Sequence, residues 1–443
     1  MRKIYNPIFI IAFILMTAIS CTPAATEKEL ALIPDSESIN ASETVTFTVL
    51  YGETDVTDLA KIFLRSTNEE LADNTFSTSI PREYEFFAIY NDIQSDYVTV
   101  RVNESAILTV DKNRIAPDGM ETATFTVTQN GTDITAKSTL YMLPEDGSPI
   151  AQDGFTFTTT EAGVYTFYAT AGNLSTNSVQ IIVMPADTEP DNFNFRQRGL
   201  ITEFTGTWCG WCAMIKAAVH NLEADGYDDG YPVEIHNGDI MALECSETLG
   251  ELFRADAKGY PTTAFQLDRE TVLDGVYSQT DIQANTDHIK ELLQGCLDEY
   301  GCTSGISGAY FSDDTGKMKV SATVKIADNG EYRIAAWLLE NNIHAEQSNY
   351  TANVVNTEEV SVHRNVLRAV SNSTEFTGDD VTAGAMGTQG FEWTFDESSL
   401  LNGNPEDSHV LIFVTKKQEG GVYIVNNIIR CGFEKVTGFE YAE

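Results

Sequence analysis

Past residue 28 the chain alternates apolar and polar residues with the period of two that a half-buried strand requires. The pattern also repeats. Thr46-Phe-Thr-Val-Leu-Tyr-Gly-Glu-Thr-Asp-Val-Thr57 aligns with Thr124-Phe-Thr-Val-Thr-Gln-Asn-Gly-Thr-Asp-Ile-Thr135, an offset of 124 − 46 = 78. Tyr84-Glu-Phe-Phe-Ala aligns with Tyr165-Thr-Phe-Tyr-Ala, and Val98, Val100 and Val102 align with Val179, Ile181 and Val183, an offset of 81. The three-residue change falls between matched strands, where a loop absorbs it. The spacing predicts two tandem β-sandwiches of immunoglobulin type, residues 28–103 and 104–185, serving either as spacers or as recognition modules. Residues 186–195 follow as an acidic linker without periodicity, its boundary marked by Pro185 and Pro190.

The pattern changes at residue 196. Leu200, Ile201, Thr202 and Phe204 read as a buried strand, Gly206 and Thr207 break it, and a helix opens at Cys209-Gly-Trp-Cys212. Ile215, Ala218, Val219 and Leu222 give that helix one apolar face, and Gly226 stops it. A strand at 233–236, a helix carrying Leu249, Leu252 and Phe253, a turn at Pro261, a strand pair and a last helix with Ile289, Leu292 and Leu293 complete an α/β order over 196–302. From 303 to 443 strand alternation returns (Met318, Val320, Ala322, Val324; Ile334, Ala336, Leu338), so a third β-sandwich is expected. The expected fold class is therefore multidomain, α/β plus all-β, with the α/β domain flanked by β-sandwiches.

Met1-Arg2-Lys3 and the apolar run Ile8 to Ile19 form an export leader over residues 1–21, too short for a good membrane span. The small residues before Cys21 resemble a lipoprotein box, which would make Cys21 the lipid-bearing residue and the membrane attachment purely acyl. Thr22 after that cysteine, by analogy with Gram-negative lipoproteins, favours the outer membrane, on either face. With 27 Lys+Arg against 66 Asp+Glu, and Arg2 and Lys3 lost with the leader, the mature chain carries about 25 − 66 = −41. That charge argues against nucleic-acid partners. Triad spacing, His-x-x-x-His pairs, phosphate-cradling glycine loops and calcium-loop patterns are all missing from the sequence, and the Asp228-Asp229, Asp313-Asp314 and Asp379-Asp380 turns read as solvated, so neither a cofactor nor a metal is expected.

The Cys-x-x-Cys at 209–212 carries the one clear chemistry. A helix N-terminus stabilises a thiolate at Cys209, and Cys212, one turn on, can close on the same sulfur. A zinc half-site is the alternative; it would need two further ligands, and Cys245 and His236 are the nearby candidates. Taken with Lys258-Gly-Tyr-Pro-Thr-Thr-Ala-Phe, the motif resembles the thioredoxin superfamily. That resemblance implies a cis peptide at Pro261, a backbone at Tyr260 offered to substrate, and a proton-transfer role for Glu203. Trp208 and Trp211 read either as an apolar docking rim or as packing residues. Together with Trp337-Leu-Leu-Glu340 and His363-Arg-Asn-Val-Leu-Arg368, the region 196–443 resembles the outer-membrane-protein-28-related lipoproteins. Cys245, Cys296, Cys302 and Cys431 receive no function, although Cys296 and Cys302 are near enough in sequence to pair.

Two functional expectations follow. The first is a lipid-anchored thiol–disulfide oxidoreductase in which Cys209 attacks, Cys212 resolves, Glu203 moves the proton, and Pro261 with Tyr260, Trp208 and Trp211 shapes the docking groove. Its partners would be exported proteins with thiols or disulfides and an external redox protein. The second is a non-enzymatic outer-membrane surface binding or scaffold lipoprotein with a structural disulfide. An ionised, reachable sulfur at Cys209 separates the two.

Overall fold

Alternation is translated directly into sandwiches in the first half of the chain. The structure is a computed structural model that describes residues 29–40, 43–78, 80–91, 93–103, 106–144, 148–172, 174–253, 259–312 and 317–442; the leader with Cys21, Lys258 and the Asp313-Asp314 turn lie outside the described residues. Residues to Ser105 form one compact unit and Ala106 onward another.

In the first unit, Thr44–Tyr51 turns Val45, Phe47 and Val49 inward and leaves Thr44, Thr46 and Thr48 in water. It pairs with Leu30–Pro34, while Arg82–Tyr90 and Val98–Asn103 belong to the facing sheet. Phe47 meets Phe86 across the interior at 4.8 Å. Residues 106–183 of the second unit repeat this arrangement: Ala123–Gln129 faces Gly163–Ala171, and Phe125 meets Phe167 at the same 4.8 Å. Even a turn bond recurs, the Thr57 hydroxyl accepting from the Val49 amide and the Thr135 hydroxyl from the Val127 amide, each at 2.9 Å. That explains the shared Asp-x-Thr after each strand: the aspartate holds the threonine amide (Asp55 to Thr57, Asp133 to Thr135) and so aims the hydroxyl.

The remainder departs from the expectation. Gly199–Thr205 and Gly230–His236 pair in parallel, with Thr262–Phe265 and Asp268–Asp274 antiparallel beyond. The far edge of Gly230–His236 does not stay free. It is joined in parallel by Val366–Val370 at Glu234, after which Tyr332–Glu340, Ser408–Lys417 and Tyr423–Gly432 continue a single nine-stranded sheet. One apolar core runs through both parts, Leu200, Phe204, Val233 and Ile235 packing with Trp337, Leu411 and Phe413. The expected fold class, a thioredoxin-like α/β domain beside an independent sandwich, is therefore corrected. The protein is mainly β, and its few helices lie on a sheet shared with the C-terminal strands. The reason is physical: parallel strands need both faces and both edges covered, and here the C-terminal strands do the covering.

The helices Cys212–Ala224 and Ile282–Tyr300 pack Ile215, Val219, Ile289 and Leu293 over Ile201 and Phe265. Asp281 caps the latter helix by accepting from the Ala284 amide, and Gly301, at φ 62°, ends it. On the other side of the C-terminal strands lies a four-stranded sheet of Thr388–Asp396, Lys317–Ile326, Ser304–Ser312 and Lys435–Thr437.

Residues 186–195 are pinned to this body. Lys325, buried, donates to Asp187, to the Glu189 carbonyl and to the Tyr441 hydroxyl, and its ammonium lies 4.7 Å from the Phe193 ring and 5.3 Å from that of Tyr441.

The shared core makes a measurable statement. Phe413→Ala should cost about 3–5 kcal/mol and lower hydrogen-exchange protection in Gly199–Thr205 as well as in Ser408–Lys417. Loss confined to the latter strand would mean two separate cores.

Candidate functional site

The strand Gly199–Thr205 delivers the chain through Gly206 and Thr207 to Cys209, whose amide donates to the Gly206 carbonyl at 3.0 Å, and the helix starts at Cys212. Cys209 and Cys212 are joined in a disulfide. Neither half is open to water: Cys209 is 5% exposed and Cys212 is fully buried.

The cover comes from the distant segment 345–361, whose base is the short antiparallel pair Ile343–His344 and Val362–His363. The Ser348 amide donates to the Thr207 carbonyl at 2.7 Å and the Tyr350 amide to the Gly210 carbonyl at 2.9 Å. The buried Gln347 side-chain Nε2 donates to the Cys209 carbonyl at 2.9 Å and the Gly206 carbonyl at 3.2 Å. Val355 and Val360 pack on Ala213 and Met214 of the helix. Gly210 permits this approach, since a Cβ there would stand 2.5 Å from the Tyr350 ring.

Around this cover the aromatic residues are partly in water. Trp208 is 49% exposed, yet its indole N–H donates to the Asn237 carbonyl at 2.8 Å and its ring meets Tyr260 edge-on at 5.2 Å. Asn237 donates to the Tyr260 hydroxyl at 2.9 Å, so both rings are fixed. Trp211 meets Tyr350 edge-on at 6.0 Å. The Tyr260–Pro261 peptide is cis.

Beneath the helix lies a buried charge cluster. Glu203 and Glu234 are register partners on adjacent parallel strands, so their side chains leave the same face. Lys216, fully buried on the helix, pairs with Glu234 and lies 2.9 Å from His363 Nδ1. An ammonium can only donate, so His363 Nδ1 accepts and its Nε2–H donates to the Ala345 carbonyl at 3.1 Å, at the root of the cover. His236 lies between Glu234 at 3.0 Å and Asp239 at 2.8 Å, and Asp239 in turn accepts from the Thr207 amide at 2.8 Å.

Burial pushes Glu234 up, but the Lys216 ammonium and the hydrogen bond from His236 outweigh it and hold Glu234 well below the ordinary carboxylate range. For Glu203 burial wins. Lys216 offsets it only in part, the neighbouring Glu234 charge adds to it, and the carboxyl rises to about 8. Two adjacent buried carboxylates share one ammonium, and the one without ordinary hydrogen bonds keeps its proton. Asp239, burial opposed by His236 and two amides, falls to about 2; burial takes His220 down to about 4.

The residues singled out from the sequence, Cys209, Cys212, Trp208, Trp211 and Glu203, are thus collected at one end of one strand and helix, but they do not form an open catalytic site. The oxidoreductase expectation is corrected: Cys209, which had to be reachable, is a buried residue of a closed disulfide, and the carbonyls around it are bonded by 347–350. Cys245, Cys296, Cys302 and Cys431 are all free thiols, and burial pushes Cys296 and Cys302 up to about 11. Glu234, His236 and His363 bring ligand atoms within 4.8 Å of one another, and the Lys216 ammonium, against two of them, already supplies a positive charge. Sequence reasoning passes over Lys216, Glu234, Gln347 and Tyr350. A lysine amid the apolar positions of the Cys212 helix is the one readable signal among them.

Two outcomes test the assembly. Gly210→Ala should displace the cover, cost about 1–3 kcal/mol and speed reduction of the disulfide by dithiothreitol, followed by mass spectrometry. Folded Glu203 holds its proton to about pH 8 against an ordinary value of 4.5, so stability falls as pH rises through that window. Glu203→Gln should flatten this fall and gain about 1–3 kcal/mol over the wild type at pH 9 but little at pH 5, by urea midpoints.

Similarity to known proteins is limited in extent. No curated protein matches the chain. Among solved structures, HBP35 of Porphyromonas gingivalis is similar at 16% identity and TM-score 0.42, over 56% of this chain and 78% of that one. A domain of the outer membrane lipoprotein Omp28 from Porphyromonas gingivalis is similar at 18% identity and TM-score 0.20, over 30% of this chain and 92% of that one. A C-terminal fragment of intimin, solved in complex with the intimin-binding domain of its translocated receptor, is similar at 15% identity and TM-score 0.18, over 39% and 65%. Residues 304–430, wholly outside the Cys-x-x-Cys region, match the family model of outer membrane protein Omp28, and this match agrees with the outer-membrane localisation read from the leader.

Proposed function

We propose that this chain is a lipid-anchored outer-membrane lipoprotein that works by binding or display, without catalysis, and that the Cys209–Cys212 disulfide is a structural brace. The observation that carries this reading is the burial of Cys209 and Cys212, with the carbonyls beside them bonded by Gln347, Ser348 and Tyr350 from a segment of the same chain some 140 residues away. A disulfide-exchange enzyme needs its attacking sulfur in contact with substrate. Here the polar groups that would present that sulfur are spent on intramolecular bonds. The family match over 304–430 supports the same reading. Thiol-bearing exported proteins and an external redox partner have no role in it. The membrane is met through acyl chains on Cys21, and the mature net charge of about 25 − 66 = −41 keeps nucleic acid and anionic surfaces away.

The brace closes a very short loop, so its contribution is about 2 kcal/mol. The Cys209→Ala, Cys212→Ala double variant should keep its circular dichroism and its membrane fractionation, with a modestly lower melting temperature. Cys21→Ser should release the protein into the soluble fraction. Native wild type should show no turnover of insulin disulfides with dithiothreitol beyond the uncatalysed rate. Rapid turnover, abolished in the double variant, would overturn the proposal.

A further inference from the structure

The buried charge cluster beneath the Cys212 helix has the form of a metal centre, with one difference at its middle. His236 Nε2 and His363 Nδ1 stand 3.0 Å and 3.4 Å from the same Glu234 oxygen. Donors at about 2.0–2.2 Å from a tetrahedral ion of the zinc class are about 3.3 Å apart, so both spacings suit one. All three ligand atoms lie within 4.8 Å of one another, on three buried residues.

The outer ends of the two imidazoles point the same way. His236 Nδ1 is held by the Asp239 carboxylate at 2.8 Å, and the His363 Nε2–H by the Ala345 carbonyl at 3.1 Å. A carboxylate or carbonyl on the far ring nitrogen is the support that metal-binding histidines have, because it fixes the ring and aims the near nitrogen. An ion pair between a lysine and a glutamate needs no such pair of aimed rings. Glu203 offers a further donor. It is the register partner of Glu234, 1% exposed, and neither of its oxygens has an ordinary hydrogen-bond partner.

What sits among these donors is Lys216. The residue is fully buried, and its ammonium pairs with Glu234 and lies 2.9 Å from His363 Nδ1. A buried carboxylate needs a cation, and here the chain supplies it covalently. We infer that the Lys216 ammonium occupies a transition-metal site: with the ammonium removed, Glu234, His236 and His363 bind a divalent ion of the zinc and cobalt class, with Glu203 beside them. Two imidazoles with a carboxylate suit those ions, whereas magnesium and calcium take oxygen. The incoming ion displaces the proton that His236 Nε2 gives to Glu234. The inference stands whether or not the disulfide is structural, since neither cysteine is a ligand.

Lys216→Met in the full chain tests it, because methionine follows the lysine stem and ends one atom short of Nζ. Cobalt(II) is the probe, since its visible spectrum tells a tetrahedral nitrogen–oxygen site from the octahedral one that surface carboxylates provide. Without its cation Glu234 is a buried unpaired charge, so the variant should melt below the wild type and recover most of that loss with one equivalent of cobalt(II). The expected spectrum shows one tetrahedral cobalt per Lys216→Met chain, none per wild-type chain, and none once His363→Ala is added. Asp239→Asn in the Lys216→Met background should weaken cobalt binding about 10–100-fold while leaving the three ligands in place. A Lys216→Met chain that fails to fold alone is refolded with cobalt(II) present and read by the same spectrum. No tetrahedral cobalt in Lys216→Met, an equal spectrum in the wild type, or a spectrum untouched by His363→Ala would each overturn the inference.

Discussion

Glu234 is the residue through which the two parts of the large sheet meet. Its backbone receives the C-terminal strand, the amide donating to the Asn365 carbonyl at 2.9 Å. Its side chain carries the buried negative charge that Lys216 balances and that His236 hydrogen-bonds, with His363 Nδ1 at 3.4 Å beside it. A buried ion pair gives little net stability, but an unpaired buried charge is strongly destabilising. The cluster therefore acts as a register mark. The helix, the parallel pair and the 343–363 excursion must all be in place before the charge is satisfied, and an apolar pairing would tolerate a slip that this one does not.

The same cluster explains why Glu203 does not play the part its position suggests. On a strand leading to a cysteine pair, a lone glutamate invites a proton-transfer role. In the folded chain its neighbour across the ladder is a second glutamate that has already claimed the lysine, and Glu203 is left protonated by its burial first and by the Glu234 charge besides. Its burial, and the Glu234 charge that adds to it from 31 positions away, depend on which strands lie side by side, and strand-by-strand reading does not reveal that.

Much of the fold was legible wherever the physics is local. Period-two runs became strands with the expected faces inward, the Asp-x-Thr turns recur at matching places, and the helix after the cysteine pair stops before Gly226 as its signal says, although it begins at Cys212 and not at Cys209. Pairing across long separations was not legible. The strands after 330 show alternation that fits a free-standing sandwich equally well, and only the exposed edge of Gly230–His236 demands that they join it. The candidate site follows the same division. Cys209, Cys212 and the tryptophans could be read from their spacing, whereas Gln347 and Tyr350, which decide whether the sulfur is accessible, lie in a stretch without periodicity.

The excursion over the cysteine pair has a consequence for assembly. Gln347 reaches a carbonyl 138 positions earlier in the chain, so during synthesis and export the two thiols emerge long before the segment that hides them. Oxidation thus has an interval in which catalysts of the exporting compartment can reach the pair, and the arrival of the C-terminal strands ends it. A chain stalled or truncated before residue 345 would keep the bridge open to reshuffling, so completion of the polypeptide itself acts as the seal.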